Sequence, residues 1–230
     1  MRKELVGHNI VVLDTETLRS ADECRICGSY PSDYAHKCQP WGWNNKTALG
    51  LSIGCAYHYD ADRYEFFDSY TLEGFVTRCV GGKPLLVSFN GLTHDFVLMR
   101  GLLRQAVDEA AQDELVYLHA LCDAFKALCA KGYDLLAAIW ALDPGRKFES
   151  GLNSLDAICQ ANGLLAKEMD GALAPRLWQQ GHYAEVIQYC MNDVVRTRAL
   201  FEMVCAGQPI LRGDGRPITL PLPTQFSLAR

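Results

Sequence analysis

The stretch Val11-Val12-Leu13-Asp14-Thr15-Glu16-Thr17 decides the fold, because an apolar run typical of a buried strand passes directly into two carboxylates. We predict a first strand over Ile10 to Leu13, ending at these acids. Side chains two positions apart on a strand share one face, so Asp14 and Glu16 lie together at the rim of an apolar sheet. Two partly desolvated acids repel each other unless a cation lies between them, and a divalent metal is the usual cation. A turn with an incidental Asp/Glu pair is the alternative.

The rest of the chain predicts an α/β order, with most strands first and most helices later. Apolar runs and alternating patterns predict further strands over Leu49 to Tyr59, Arg63 to Tyr70 and Leu85 to Phe89. Helical periodicity then dominates, which predicts a mixed sheet packed by helices. The predicted helices span Leu72 to Val80, Asp95 to Val107, Glu109 to Ala130, Asp134 to Leu142, Ser154 to Asn162 and Tyr183 to Cys205. We expect a single domain over residues 1–230, with a hairpin or tail at 208–230.

Composition excludes several classes of protein. The 230 residues carry a formal net charge of -5, which argues against a broad basic surface for nucleic acid but allows an enzyme that binds a few nucleotides. Neither a signal peptide nor a membrane span is predicted, so we expect a cytoplasmic protein. Ten cysteines without a secretory signal indicate reduced thiols or metal ligands rather than disulfides.

Matching acids follow at two other places. Asp95 comes shortly after the strand Leu85 to Phe89, at the start of a helix, where the helix dipole favours a carboxylate. In the last long helix, Tyr189 and Asp193 are four residues apart and therefore share one face. Each of these features alone is common in proteins without any catalytic role. Their combination, in this order, is not expected by chance.

These motifs together resemble the DEDDy branch of the ribonuclease-H-like 3′-5′ exonucleases, which includes proofreading domains of DNA polymerases and their stand-alone relatives. The resemblance rests on Asp14-x-Glu16, Asn90-x-x-x-x-Asp95 and Tyr189-x-x-x-Asp193, and covers about residues 9 to 205. The histidine branch of the family needs a His five residues before the last Asp, where this chain has Gln188. The resemblance implies a ribonuclease-H-like mixed five-stranded sheet flanked by helices, with a loop insertion between strands one and two.

The same resemblance implies a metal-dependent site. Asp14, Glu16, Asp95 and Asp193 are expected to hold two Mg²⁺ or Mn²⁺ ions, about 4 Å apart so that both contact one phosphodiester. Tyr189, with an ordinary pKa of about 10, is a poor general base at neutral pH and is expected to orient the attacking water. The expected activity is release of nucleotides from the 3′ end of single-stranded nucleic acid, with DNA favoured over RNA.

Further residues are predicted to contact the substrate strand. Thr17 and Asn90 match family positions near the terminal nucleotide, and His94 stands where relatives usually have Phe or Tyr. His94 is therefore a weaker stacking partner than the family's larger rings, and a partly exposed residue at the helix start is its alternative. No polymerase or helicase segment accompanies the nuclease, so such a partner is expected to be a separate chain; the oligomeric state is left open.

A second metal site is predicted in the long connection between strands one and two. Cys24, Cys27, His36 and Cys38 offer three thiolates and one imidazole, a complete tetrahedral set for structural Zn²⁺, within a loop over 20–45. A redox pair or an unligated loop are the alternatives. The other seven cysteines are expected to be core residues.

Four other functions fit parts of the sequence. An RNA 3′-end-processing exoribonuclease would share every motif. A non-catalytic nucleic-acid-binding module would be expected to lose at least one acid, and a zinc-loop interaction protein would leave the acids unexplained. A nuclease that cuts internally would share the acids of the first strand but not the Tyr189 and Asp193 helix.

Overall fold

The protein is built around a five-stranded mixed sheet. The computed structural model describes residues 2–30, 38–149, 151–165 and 169–223. The strands of the sheet are β1 (Ile10–Thr17), β2 (Leu51–His58), β3 (Arg63–Phe67), β4 (Leu85–Ser88) and β5 (Tyr133–Asp134), arranged in the order β3-β2-β1-β4-β5. The predicted α/β class and the mixed five-stranded sheet are therefore confirmed.

β1 is the central strand, with an antiparallel strand on one side and a parallel strand on the other. It pairs antiparallel with β2, placing Asp14 opposite Cys55, and parallel with β4, placing Val12 opposite Val87. β3 extends the antiparallel side and β5 extends the parallel side. Because β1 and β4 are parallel, the residues that follow their carboxyl ends meet at one edge of the sheet.

Helices cover both faces of the sheet. They are α1 (Arg2–Leu5), α2 (Lys46–Leu49), α3 (Leu72–Gly82), α4 (Asp95–Glu109), α5 (Leu115–Cys129), α6 (Leu135–Leu142), α7 (Leu155–Ala161), α8 (Ala174–Gln179) and α9 (Tyr183–Cys205). Val11 and Leu13 of β1 pack towards α3, α4 and α5, whereas Ile10 and Val12 pack towards α9. The alternation of strand side chains thus sorts β1 between two apolar layers.

Several predicted boundaries were wrong. β1 does not end at Leu13 but continues through both acids to Thr17, because β2 pairs with it along this whole length. The low strand propensity of Asp and Glu is outweighed by this pairing. The predicted helix over Glu109 to Ala130 begins only at Leu115, where the acidic residues before it suit a helix N-terminus.

The fifth strand was not located from the sequence. β5 consists of Tyr133 and Asp134, where a helix was predicted to begin, and it pairs in parallel with Val87 and Ser88 of β4. Two residues are too short for strand periodicity to be detected. The short helices α1, α2 and α8 were also missed, because segments this short do not show a helical repeat of apolar residues.

A small hairpin lies at residues 210–218, within the predicted hairpin or tail. β6 (Ile210–Leu211) pairs antiparallel with β7 (Pro217–Ile218), and the turn lies around Gly215. Residues 224–230 of the predicted tail lie outside the described residues. None of the helices in the described part of the chain has the length and apolarity needed to cross a membrane.

Candidate active site

A cavity of about 600 Å³ opens where the carboxyl ends of β1 and β4 meet. Its lining draws on β1, α4 and α9, and includes most of the site residues predicted from the sequence. The predicted residues that line it are Asp14, Glu16, Thr17, Asn90, His94, Asp95 and Asp193. Four carboxylates from three separate elements therefore face one space.

Side chains alternate along β1, so neighbouring residues at this end of the strand point in opposite directions. Asp14 and Glu16 point towards α9, where both carboxylates lie within 4.8 Å of the Cys190 sulfur. The Cys190 thiol donates to the Asp14 carbonyl at 3.5 Å and contacts its Oδ2 at 3.7 Å. Thr15, between the two acids, points to the other side and reaches α4. Cys190, expected to be a plain core residue, is buried but also touches the acid site.

Thr15 holds Asp95, the first residue of α4. Both the Thr15 backbone N–H and its hydroxyl donate to Asp95 Oδ1, at 3.0 Å and 2.5 Å. Asp95 is only 2% exposed, so these two donors compensate part of the cost of burying its charge. Sequence reasoning did not identify Thr15, although its place between the two acids was a usable signal.

Burial and mutual repulsion control the ionisation of these acids. The pKa of Asp14 lies well above its usual range, chiefly because the group is desolvated and further because Asp95, Asp193 and Glu16 are close. Burial also raises the pKa of Asp95, against the lowering effects of His94 and the Thr15 hydrogen bond. Such a group of acids has a strong electrostatic preference for bound cations.

Asp193 on α9 is paired with a buried arginine. The Arg196 guanidinium donates to Asp193 Oδ1 and lies 3.5 Å from Asp156. Arg196 is only 2% exposed, so its charge is compensated within the protein. Sequence reasoning missed this residue, although three residues along a helix is the spacing at which an Asp–Arg pair meets.

Tyr189 lies beside the cavity rather than in its lining. Its hydroxyl lies against Gly171, where an added Cβ would come within 2.7 Å of the hydroxyl oxygen. Burial, followed by the charges of Asp193, Glu16 and Asp14, raises its pKa, so the hydroxyl is neutral at ordinary pH. The expectation that Tyr189 is no general base agrees with this environment, whereas its contact with the attacking water remains a prediction.

The turn between β4 and α4 is held by Asp134. Asn90 has a left-handed backbone, with φ of 71°, a conformation that Asn tolerates better than most residues. The Asp134 carboxylate accepts the backbone N–H of Asn90 at 3.0 Å and that of Leu92 at 2.8 Å. It also caps α6 by accepting the Ala137 N–H at 3.1 Å. One buried acid thus connects β5, α6 and the turn that leads to Asp95.

The connection between β1 and β2 contributes further lining residues that the sequence did not suggest, among them Trp43 and Lys46. Lys46 Nζ is 3.1 Å from His94 Nδ1, so His94 contacts a cation as well as facing the cavity. Burial lowers the pKa of His94, and the nearby Lys46 lowers it further, while Asp95 opposes this shift. Neither residue belongs to a recognisable motif.

The same loop gathers three cysteines. The sulfur atoms of Cys24, Cys27 and Cys38 lie within 4.8 Å of one another, and those of Cys27 and Cys38 are 3.8 Å apart. Backbone N–H groups of Cys27 and Ile26 lower the pKa of the Cys24 thiol to about 6. His36, the fourth predicted ligand, lies outside the described residues.

Both clusters have the chemistry of metal sites. Carboxylate oxygens at the cavity suit hard cations such as Mg²⁺ or Mn²⁺, whereas thiolates suit Zn²⁺. Tetrahedral zinc with bonds of about 2.3 Å to sulfur implies sulfur atoms roughly 3.8 Å apart, the separation of Cys27 and Cys38. The donor sets therefore fit the two kinds of ion expected from the sequence.

Comparison with known proteins identifies one family. The family model described as "Predicted 3'-5' exonuclease related to the exonuclease domain of PolB" matches residues 60–210, which is more than half of the chain. The matched region contains Asp95, Tyr189 and Asp193, whereas Asp14 and Glu16 precede it. No curated protein matches the chain. The resemblance to ribonuclease-H-like 3′-5′ exonucleases is confirmed, and the sheet has the fold that this family implies, whereas the DEDDy branch stays a prediction.

Proposed function

The chain belongs to the family of predicted 3′-5′ exonucleases related to the exonuclease domain of PolB, and we propose that it shortens single-stranded DNA from the 3′ end with two divalent ions. The observation that supports this most is the meeting of Asp14, Glu16, Asp95 and Asp193 in one cavity. Their elements are far apart in sequence, so a shared function explains why four mutually repelling acids are kept together.

The four acids are proposed to hold Mg²⁺ or Mn²⁺. Bound divalent ions make water more acidic and neutralise charge that develops on a phosphodiester. Thr15 keeps Asp95 in place through two hydrogen bonds, and Arg196 does the same for Asp193 through its guanidinium. These two residues are proposed to position the metal-binding carboxylates.

The 3′ end is proposed to lie against the turn at Asn90 and the end of β1 at Thr17, both of which line the cavity. A cavity of about 600 Å³ has room for a terminal nucleotide rather than a folded duplex. Tyr189 is proposed to place the chain in the DEDDy subtype. Because its pKa is raised, it would act as a neutral hydrogen-bond donor.

The decisive assay compares substrates and variants. Linear single strands labelled at the 5′ end, circular single strands and matched RNA are incubated with Mg²⁺ or Mn²⁺. We expect progressive shortening of linear DNA, intact circles and loss of activity in Asp14→Ala and Asp193→Ala. Tyr189→Phe should leave part of the activity. Cleavage of circles, or full metal-dependent activity of Asp14→Ala, would contradict the proposal; preferential degradation of RNA would reassign the substrate.

We further propose that Cys24, Cys27 and Cys38 bind one structural Zn²⁺, with His36 as the fourth ligand. The proposal is supported by the sulfur separations and by the backbone N–H groups around Cys24. In a loop with few core residues, a bound metal supplies order that apolar packing does not.

A further inference from the structure

Trp43 is an exposed aromatic residue at the edge of an acidic catalytic cavity. It lines the cavity, yet its side chain is 58% exposed. Exposing a large indole to water forgoes the stabilisation that burial would provide. An exposed aromatic ring beside a cavity presents a π face on which a base can stack.

One face of the indole is already occupied. Lys46 Nζ lies 5.0 Å from the centroid of the Trp43 ring, a cation–π contact, and the same nitrogen is 3.1 Å from His94 Nδ1. The His94 ring is 6.2 Å from the indole and tilted by 57°, so the two rings are not stacked on each other. Lys46 therefore fixes Trp43 beside the residue that precedes Asp95.

The cysteine loop determines where Trp43 stands. Two backbone segments pair across this loop: Arg25 N–H donates to the Gln39 carbonyl at 2.8 Å, and Trp41 N–H donates to that of Glu23 at 3.1 Å. Gly42 N–H then donates to the Ala21 carbonyl at 2.8 Å. This ladder begins at the cysteine cluster and ends one residue before Trp43, so it connects the cluster to the segment that carries the indole.

We propose that Trp43 is a stacking platform for one base near the 3′ end of the substrate strand. The inference rests on the proposed exonuclease function. Stacking of a base on an aromatic side chain stabilises the bound strand and tolerates every base, because each base has a π face. In a chain of net charge -5, such an uncharged contact holds nucleic acid where a broad basic surface is lacking.

The test measures binding separately from cleavage. In an Asp14→Asn background, which is expected not to hydrolyse the strand, affinity for a labelled single-stranded oligonucleotide is measured by fluorescence anisotropy in Mg²⁺. Trp43→Leu should weaken binding by about 5- to 150-fold, the equivalent of 1–3 kcal/mol, whereas Trp43→Phe should remain within a few-fold of the parent. Tyr70→Leu, which alters a residue 93% exposed and outside the cavity lining, should bind normally.

A single abasic site moved along the oligonucleotide identifies the stacked base. At one position the abasic site should weaken binding by the parent protein but not by Trp43→Leu. Binding of the oligonucleotide should also quench the tryptophan fluorescence of the parent, and this quenching should be lost in Trp43→Leu. If Trp43→Leu binds like the parent, or if Trp43→Phe is as weak as Trp43→Leu, the inference is wrong. The proposed function is tested by a different result: it is wrong if the unmodified protein shows no metal-dependent cleavage. The binding measurements with Trp43→Leu can still be interpreted in that case.

Discussion

Asp134 Oδ1 accepts the backbone N–H of Asn90 at 3.0 Å, across 44 residues of sequence, and so holds the left-handed turn that leads into Asp95. This buried carboxylate does not line the cavity, yet it determines the path of a segment that does. A residue in this place affects catalysis by positioning the backbone rather than by contacting substrate.

Asp134→Ala should therefore lower both stability and activity. The variant lacks the carboxylate that caps α6 and accepts two further N–H groups, so three backbone N–H groups lose their partner. We expect the free energy of unfolding to fall by about 2 kcal/mol or more. The value of kcat/KM should fall at least tenfold at temperatures where the variant is folded. Urea denaturation and single-strand hydrolysis measure the two effects.

Asp68→Ala is the matched control for that experiment. Asp68 also accepts two backbone N–H groups, those of Tyr70 and Thr71, but in a turn outside the cavity lining. It should reduce stability and leave kcat/KM close to that of the parent. Equal losses of activity in the two variants would mean that Asp134 acts only through overall stability.

Thr15→Val removes the hydroxyl that donates to Asp95 while preserving the shape of the side chain. A hydrogen bond to a charged group contributes about 1.5–3 kcal/mol, so the metal-free protein should lose stability in that range when Asp95 is ionised. Without this donor the pKa of Asp95 should rise further, and more Mg²⁺ or Mn²⁺ should be needed for half-maximal activity. Thr15→Ser keeps the donor and should retain most activity; a Thr15→Ser protein as impaired as Thr15→Val would show that the methyl group matters instead.

Asp14→Asn should abolish cleavage and yet stabilise the protein when no Mg²⁺ or Mn²⁺ is added. The pKa of Asp14 is raised in the native state, so between its unfolded and native pKa values the native protein binds more protons. The free energy of unfolding then decreases as the pH rises from the unfolded pKa through the native pKa. Above the native pKa, the destabilisation caused by the buried, ionised Asp14 is fully present. Asn carries no charge and avoids this penalty.

Thermal unfolding in metal-depleted buffer at pH 5 to 8 measures the effect. We expect the Tm of Asp14→Asn to exceed that of the parent by about 2–4 °C at pH 8, the shift that 1 kcal/mol produces in a domain of this size. This difference in Tm should become smaller at acidic pH. Added Mn²⁺ should raise the Tm of the parent more than that of the variant. Asp123→Asn, an exposed acid on α5, should change neither quantity; a destabilised Asp14→Asn at pH 8 would refute the electrostatic account.

Zinc content tests the cysteine cluster. The purified protein should retain about one Zn²⁺ per chain after dialysis, measured by elemental analysis, and Cys27→Ser or Cys38→Ser should lose most of it. Cys122→Ser provides the control, because Cys122 is a half-buried thiol of α5 outside the cluster. Retention of zinc by both cluster variants, or its absence from the parent, would contradict the assignment.

Local sequence patterns alone predict several spatial relationships between the candidate site residues. Alternation on a strand places Asp14 and Glu16 on one face, and a spacing of four places Tyr189 and Asp193 on one side of a helix, because backbone geometry alone imposes both relationships. The α/β class followed from the same periodicities. Even so, the end of β1 was misplaced, since pairing with β2 carries the strand beyond the apolar run.

Contacts between distant segments were decided only by the tertiary structure. Thr15 meets Asp95 because β1 and β4 are parallel neighbours, and Asp134 meets Asn90 because a two-residue strand closes the sheet beside them. Trp43 reaches the cavity through a loop whose course no periodic pattern records. The sequence by itself therefore determined which acids share a face of a strand or helix, since that depends on repeats of two or 3.6 residues. Which residues hold those acids in place depends on strand pairing and loop path, and these are set by packing across the whole chain.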